Sequence, residues 1–308
     1  VNPKIVFMGS PEFAVHTLQG LGAVYNVAAV VTQRDKAKGR GRVLSPTPVK
    51  IEALRQGVPV AHFDAMSSQG AAEFLSGLRP DLIIVVAFGY ILPPAILKMP
   101  VIGCVNLHAS LLPLHRGPSP IPAAILAGDS KTGVTTILMD EGIDTGDILL
   151  SRSIEIGDRD TAGTLHDKLA EEGALLMLDT VDGILSKSVA PIPQDHSQAT
   201  YSRRLSKVDG KIDWRREAKH LDRLVRAMNP WPCAYCEFEG QPLKVLDVIS
   251  APGSGIPGRI ENIDGEVLEI GTGSGRLNLN IVQPPGKPSM SAGAFARGRR
   301  LNLGYVFA

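Results

Sequence analysis

A chain of 308 residues can build two hydrophobic cores, or one large domain with an appendage. Its apolar content of 44% and charged content of 20% argue against a disordered or fibrous protein. Three cysteines are too few and too uneven for a disulfide framework, and no apolar run approaches the roughly 18 residues that span a bilayer, so a reducing, cytoplasmic setting without a membrane partner is expected.

The opening run KIVFM (4–8) reads as a strand, with no charged leader or cleavage site, so no export signal is expected. Further strands are predicted at 26–32, 82–88, 101–107 and 134–139. Helical patterns fall between them, at 11–22, 47–57, 67–77, 93–99 and 120–128. Continuous apolar strands alternating with helices predict an α/β fold, a Rossmann-like and mainly parallel sheet covered on both faces. A long helix over 161–186 closes this region, capped by Asp160 or Thr161 and carrying Leu165, Leu169 and Leu176 at helical spacing.

From 190 the sequence turns polar and proline-containing (PIPQDHSQAT) and reads as a linker, assigned to 190–206 between a catalytic domain at 1–189 and a second domain at 207–308. The second domain opens with a predicted helix at 214–228. Short strands follow at 234–239, 243–250, 258–262, 267–271 and 277–282, separated by Pro/Gly turns, and they predict a small, OB-like β-barrel. The net charge of +1 conceals an asymmetry: the residues from 201 onward hold 16 Lys+Arg against 11 Asp+Glu, and the first 200 hold 16 against 20. A basic excess on the smaller part is compatible with a polyanionic partner, and by itself equally with a solvated surface.

Several motifs carry little. Gly9, in FMGSPEFA, ends the first strand but lacks the GxGxxG spacing of a dinucleotide site. Cys233 and Cys236 form a CxxC pair with no second pair or nearby His to complete a zinc site, and they enter a strand rather than opening a helix. The acidic run MDEGIDTGD fails calcium-loop spacing, because Gly142 and Ser151 stand where ligands belong. No metal is expected.

VNLHASLLP (105–113) carries more. Asn106 and His108 stand two positions apart at the end of a predicted buried strand, so their side chains project to the same side. A carboxamide N–H beside an imidazole can stabilise a developing oxyanion, and Asp144 in the later GIDTGD loop could bond the imidazole and favour its cation. The same residues could instead satisfy loop backbone.

VNLHASLLP, then RGPSPI, GVTTILMDEGIDTGDIL and DGKIDW…LVRAMNPWP, resemble the methionyl-tRNA formyltransferase family nearly end to end. The resemblance implies formyl transfer from 10-formyltetrahydrofolate to the methionine α-amine of initiator Met-tRNA, with Asn106, His108 and Asp144 catalytic. It implies that Ser110, Leu111, Leu112 and Pro113 bind the folate together with Phe88, Gly89 and Ile91 of the VAFGYILP segment. It places the tRNA on the basic loop around Lys38, Arg40 and Arg42 and on Lys207 and Lys211, and no obligate protein partner is implied. Leu114-His115 and Cys233 depart from the family pattern. Two physical features agree with an RNA acceptor: residues 34–50 hold six basic and one acidic side chain, and 203–226 hold nine basic against four acidic. A sugar-nucleotide formyltransferase is the alternative, since it would share cofactor and catalytic residues without needing the basic loop. Glycinamide ribonucleotide formyltransferases, formyltetrahydrofolate hydrolases and a non-catalytic RNA-binding protein fit less well.

Overall fold

The computed structural model describes residues 2–38 and 43–308. The chain forms two compact units: Val1–Pro120, Lys131–Ile154 and His166–Ser202 make one, and Ile121–Ser130, Glu155–Leu165 and Arg203–Ala308 the other. The division is therefore not a single cut. The polar stretch that reads as a linker from 190 is built into the first unit as far as Ser202.

In the first unit, β1 (Lys4–Gly9), β2 (Asn26–Val31), β5 (Val60–Ala61), β6 (Leu82–Val86) and β7 (Gly103–His108) pair in parallel, and the sheet order is β5-β2-β1-β6-β7-β8-β9, with β8 at Lys131–Leu138 and β9 at Asp147–Glu155. Two further short strands, β3 (Lys36–Lys38) and β4 (Val43–Ser45), pair separately. Ile5 to Met8 and Leu82 to Ile84 are wholly buried, which is why these strands are continuously apolar. The predicted parallel sheet is observed, with one departure: β8 runs antiparallel to β7, pairing His108 with Thr135 and Asn106 with Ile137.

Helices α1 (Val15–Val24), α2 (Pro48–Arg55), α3 (Gln69–Leu78) and α4 (Pro94–Leu97) lie between the parallel strands. The start of α2 is set by Thr47, whose side chain accepts from the Lys50 amide, with Pro48 in the first turn. Ser68 does the same for α3 through the Ala71 amide. Two helices include residues of both units, α5 (Pro120–Ala127) and α6 (Ala162–Leu185). The connection order reverses between β1 and β6, so their carboxyl ends define the crevice where such sheets bind ligands. Gly9 ends β1 opposite Val86, and a Cβ there would lie 2.9 Å from the Val86 carbonyl, so its role is close packing.

In the second unit, α7 (Ala218–Met228) buries Leu221, Leu224, Val225 and Met228. It begins four residues later than expected because Glu217 is extended and Trp214 lies in the preceding turn. The sheet order is β10 (Ala234–Phe238), β11 (Gln241–Ala251), β14 (Arg276–Gln283), β13 (Val267–Gly271) and β12 (Ile260–Asp264), all antiparallel. A short β15 (Met290–Ser291) pairs with β14 and leads into α8 (Ala292–Arg299). Residues 305–308 engage both edges. The Ile260 amide donates to Tyr305 and the Glu237 amide to Ala308, which leaves neither edge as an open template. Cys236 is buried in this core, and desolvation pushes its thiol up to about 12, away from the thiolate form.

Candidate active site

β7 brings Asn106 and His108 to the carboxyl edge of the first sheet, on one side of the strand. His108 is 6% exposed. Its Nε2–H donates to the His115 carbonyl at 3.1 Å, and its Nδ1 lies 3.5 Å from Asp144 Oδ2. Asn106 is half-buried, and among the described residues its carboxamide has no hydrogen-bond partner, so it is a donor open to a ligand.

Asp144 is held from two directions. Its Oδ2 accepts the Gly117 amide at 2.7 Å. Its backbone is left-handed (φ 54°), a conformation that favours Gly or Asn and needs support from its surroundings. The carbonyls of Asp144 and Gly146 both accept from Gln194 Nε2, at 2.9 and 2.6 Å. Gln194 Oε1 in turn accepts from Arg116 Nε and Nη2, at 3.1 and 2.6 Å.

Burial is the dominant influence on the imidazole and pushes the His108 pKa below its ordinary value; Asp144 and the bond to His115 oppose it. The expectation that Asp144 favours the cation is thus half of the balance, because desolvation outweighs it. With Nε2 carrying the proton given to His115, the neutral ring presents a bare Nδ1 to Asp144, and Nδ1 is where a second proton would go.

The SLLP segment is a turn held by its own backbone and by one strand residue. Ser110 is fully buried, and its hydroxyl donates to the Leu114 carbonyl at 2.6 Å. Thr135 of β8 donates to the Ser110 carbonyl (2.7 Å) and accepts from the Leu112 amide (3.2 Å). Leu112 is buried, Leu111 and Pro113 are half-buried, and the Leu112–Pro113 peptide is cis. Beyond β6, Phe88 is 2% exposed and packs edge-on against Tyr90 at 5.2 Å, so its ring belongs to the core. Its carbonyl accepts from Gln33, Gly89 is left-handed (φ 78°), and Ile91 is 79% exposed.

Of the basic residues, Arg40 and Arg42 lie outside the described residues, and Lys38 is the last residue of β3. In the second unit Lys211 is paired with Glu237 at 2.7 Å, Arg203 with Asp209 and Arg215 with Asp213. Lys207, Arg204, Arg216 and Lys219 are exposed and make no salt bridge among the described residues. Sequence reasoning does not single out Arg116, Gln194 or Thr135. Their only signals are a charged residue inside an apolar segment and one of two glutamines in a stretch that reads as a linker.

The first unit thus carries a Rossmann-like sheet with an Asn/His pair at its carboxyl edge, and the second unit an antiparallel sheet of its own. The description "Formyl transferase" matches residues 4–181, and "Formyl transferase, C-terminal domain" matches 204–300. Curated relatives 41–44% identical over 98% of this chain are methionyl-tRNA formyltransferases; that of Bacillus pumilus (strain SAFR-032) is 44% identical over 98% of this chain and 96% of its own length. The chain belongs to this formyltransferase family. Among solved structures, WlaRD, a sugar 3N-formyl transferase, superposes with a TM-score of 0.68 at 20% identity, covering 94% of this chain and all (100%) of its own. HypX from Aquifex aeolicus, in complex with tetrahydrofolic acid, superposes with a TM-score of 0.65 at 16% identity over 98% of this chain, which spans about half (48%) of HypX. These two likenesses concern the fold.

Proposed function

We propose that the protein transfers the formyl group of 10-formyltetrahydrofolate to the α-amine of methionine on initiator tRNA, in the cytoplasm, for translation initiation. The observation that carries the chemistry is an open carboxamide and a buried imidazole on one side of one strand end, backed by a carboxylate. When the neutral amine adds to the formyl carbon, negative charge grows on the formyl oxygen. Asn106 is the donor free to meet it, and such a donor is typically worth about 10²–10³-fold in rate. The amine must shed a proton and the departing folate nitrogen must gain one. His108 can hold that proton at Nδ1, where Asp144 offsets part of the cost of a buried imidazolium.

In this reading the folate lies against the SLLP turn, which offers backbone and apolar surface because the Ser110 hydroxyl is already committed to Leu114. Phe88 supports the neighbouring loop from the core, Gly89 gives the loop its bend, and Ile91 supplies exposed apolar surface. The tRNA acceptor rests on the relatives at 41–44% identity and on basic surface. Lys38, Arg40 and Arg42 meet the acceptor end, and Lys207 meets phosphate with Arg204, Arg216 and Lys219. Lys211, already paired with Glu237, contributes less than the sequence suggests.

The test is an acceptor comparison with radiolabelled 10-formyltetrahydrofolate. Met-tRNA should be formylated at least about 10⁴ times more efficiently than an amino-sugar nucleotide, the scale by which a matched site rejects an acceptor lacking its partners. Preference for the sugar nucleotide would overturn the acceptor assignment and leave the folate chemistry standing.

A further inference from the structure

Arg116 is 1% exposed and heads the fully buried side chains by size. A buried guanidinium is costly unless it is bonded, and a carboxylate is its usual partner. Here neither side-chain partner is one: Nε and Nη2 donate to Gln194 Oε1, and Nη2 donates also to Nδ1 of His196 at 3.2 Å. The Gln194 amide is itself 5% exposed and completely used, with its oxygen toward the guanidinium and its nitrogen toward the carbonyls of Asp144 and Gly146. One glutamine therefore joins a buried cation to the turn that presents the catalytic carboxylate. The same arginine is followed by Gly117, whose amide bonds Asp144 Oδ2. The 116–117 segment thus grips Asp144 at its carboxylate directly and at its backbone through Gln194.

We infer that Gln194 is a positioning residue for the formyl-transfer reaction: it holds the left-handed Asp144 backbone so that the carboxylate faces His108 Nδ1. The inference rests on the catalytic reading of Asp144. A glutamine suits the task because it accepts from a cation and donates to two carbonyls at once, which a carboxylate cannot do. Gln194→Glu separates this role from a merely structural one. Glutamate still satisfies Arg116, and does so with opposite charge, but it turns an acceptor oxygen toward the Asp144 and Gly146 carbonyls.

The experiment measures kcat and both KM values for Gln194→Glu beside wild type, with Met-tRNA and 10-formyltetrahydrofolate. Rates are divided by the fraction of molecules that bind 5-formyltetrahydrofolate, so that poorly folded protein does not count as lost catalysis. The expected result is a kcat at least tenfold lower, with both KM values within threefold of wild type. A kcat within twofold of wild type, or a loss confined to KM, would overturn the inference. A wild-type enzyme that formylates no amine would instead overturn the catalytic reading beneath it, so the two failures are distinguishable.

Discussion

Replacing Asp144 by Asn removes one charge and little else. The amide oxygen of the substituted side chain can still accept the Gly117 N–H that Oδ2 takes at 2.7 Å, so the loop keeps its anchor. What disappears is a negative charge 3.5 Å from His108 Nδ1. At an effective dielectric of about 20, unit charges at that separation interact by roughly 5 kcal/mol, which is an upper figure for the support given to the imidazolium. With that support gone, only the bond to the His115 carbonyl opposes burial, and the His108 pKa falls further below its ordinary value. On the proposed mechanism, the imidazolium formed when the neutral ring takes the amine's proton then becomes harder to reach. Single-turnover formylation of Met-tRNA should slow by about 10²–10⁴-fold, with folate and tRNA binding within a few-fold of wild type and an unchanged melting temperature. An Asp144→Asn variant turning over within threefold of wild type would refute this account, because the charge could not then be acting through His108.

Thr135→Val should cost about 1–3 kcal/mol in chemical denaturation, since it leaves the buried Ser110 carbonyl and Leu112 amide without their shared partner. It should also weaken binding of 5-formyltetrahydrofolate more than binding of tRNA. His108 sets a pH dependence of stability. Its folded pKa lies below the unfolded value of about 6.5, so the unfolded state binds the proton more readily and the fold loses stability as pH falls from about 6.5 toward the folded pKa. That loss should amount to at most about 1.4 kcal/mol per pH unit, and it should be absent from the denaturation curves of His108→Asn. On the second unit, Lys207→Ala with Arg204→Ala should reduce tRNA affinity and flatten its salt dependence, the slope falling by up to about 0.9 for each phosphate left unneutralised. Lys211→Ala should change either quantity less; an equal effect would contradict the weight given to its pairing with Glu237.

Local chemistry makes much of this molecule legible in the linear chain. Strands buried on both faces announce themselves as apolar runs, and β1, β2, β6 and β7 lie where those runs predict. Thr47 and Ser68 mark helix starts because capping involves only neighbouring residues. Strands with one solvated face and helices rich in Gly and Arg carry a fainter pattern, so β9 and α8 do not stand out in the chain. Asn106 and His108 can be paired from sequence because a strand's period of two is local. No local period ties Asp144 to them; at that level it is a candidate partner that the family resemblance then supports.

Long-range bonds belong to the tertiary structure alone. No period links Arg116 to Gln194, separated by 78 positions, or Gln194 to the turn at Asp144, separated by 50. Gln194, one of two glutamines in a proline-containing stretch, looks like any solvated linker residue until folding buries it beside an arginine. The same holds for charge. Lys207 and Lys211 are equivalent in sequence, and among the described residues the neighbouring Glu237 separates an unpaired cation from a paired one. The sequence by itself determined which groups could do the chemistry, because reactivity resides in residue type and short spacing. The tertiary structure decided how those groups are held and which charges stay open, because both depend on neighbours that only folding brings together.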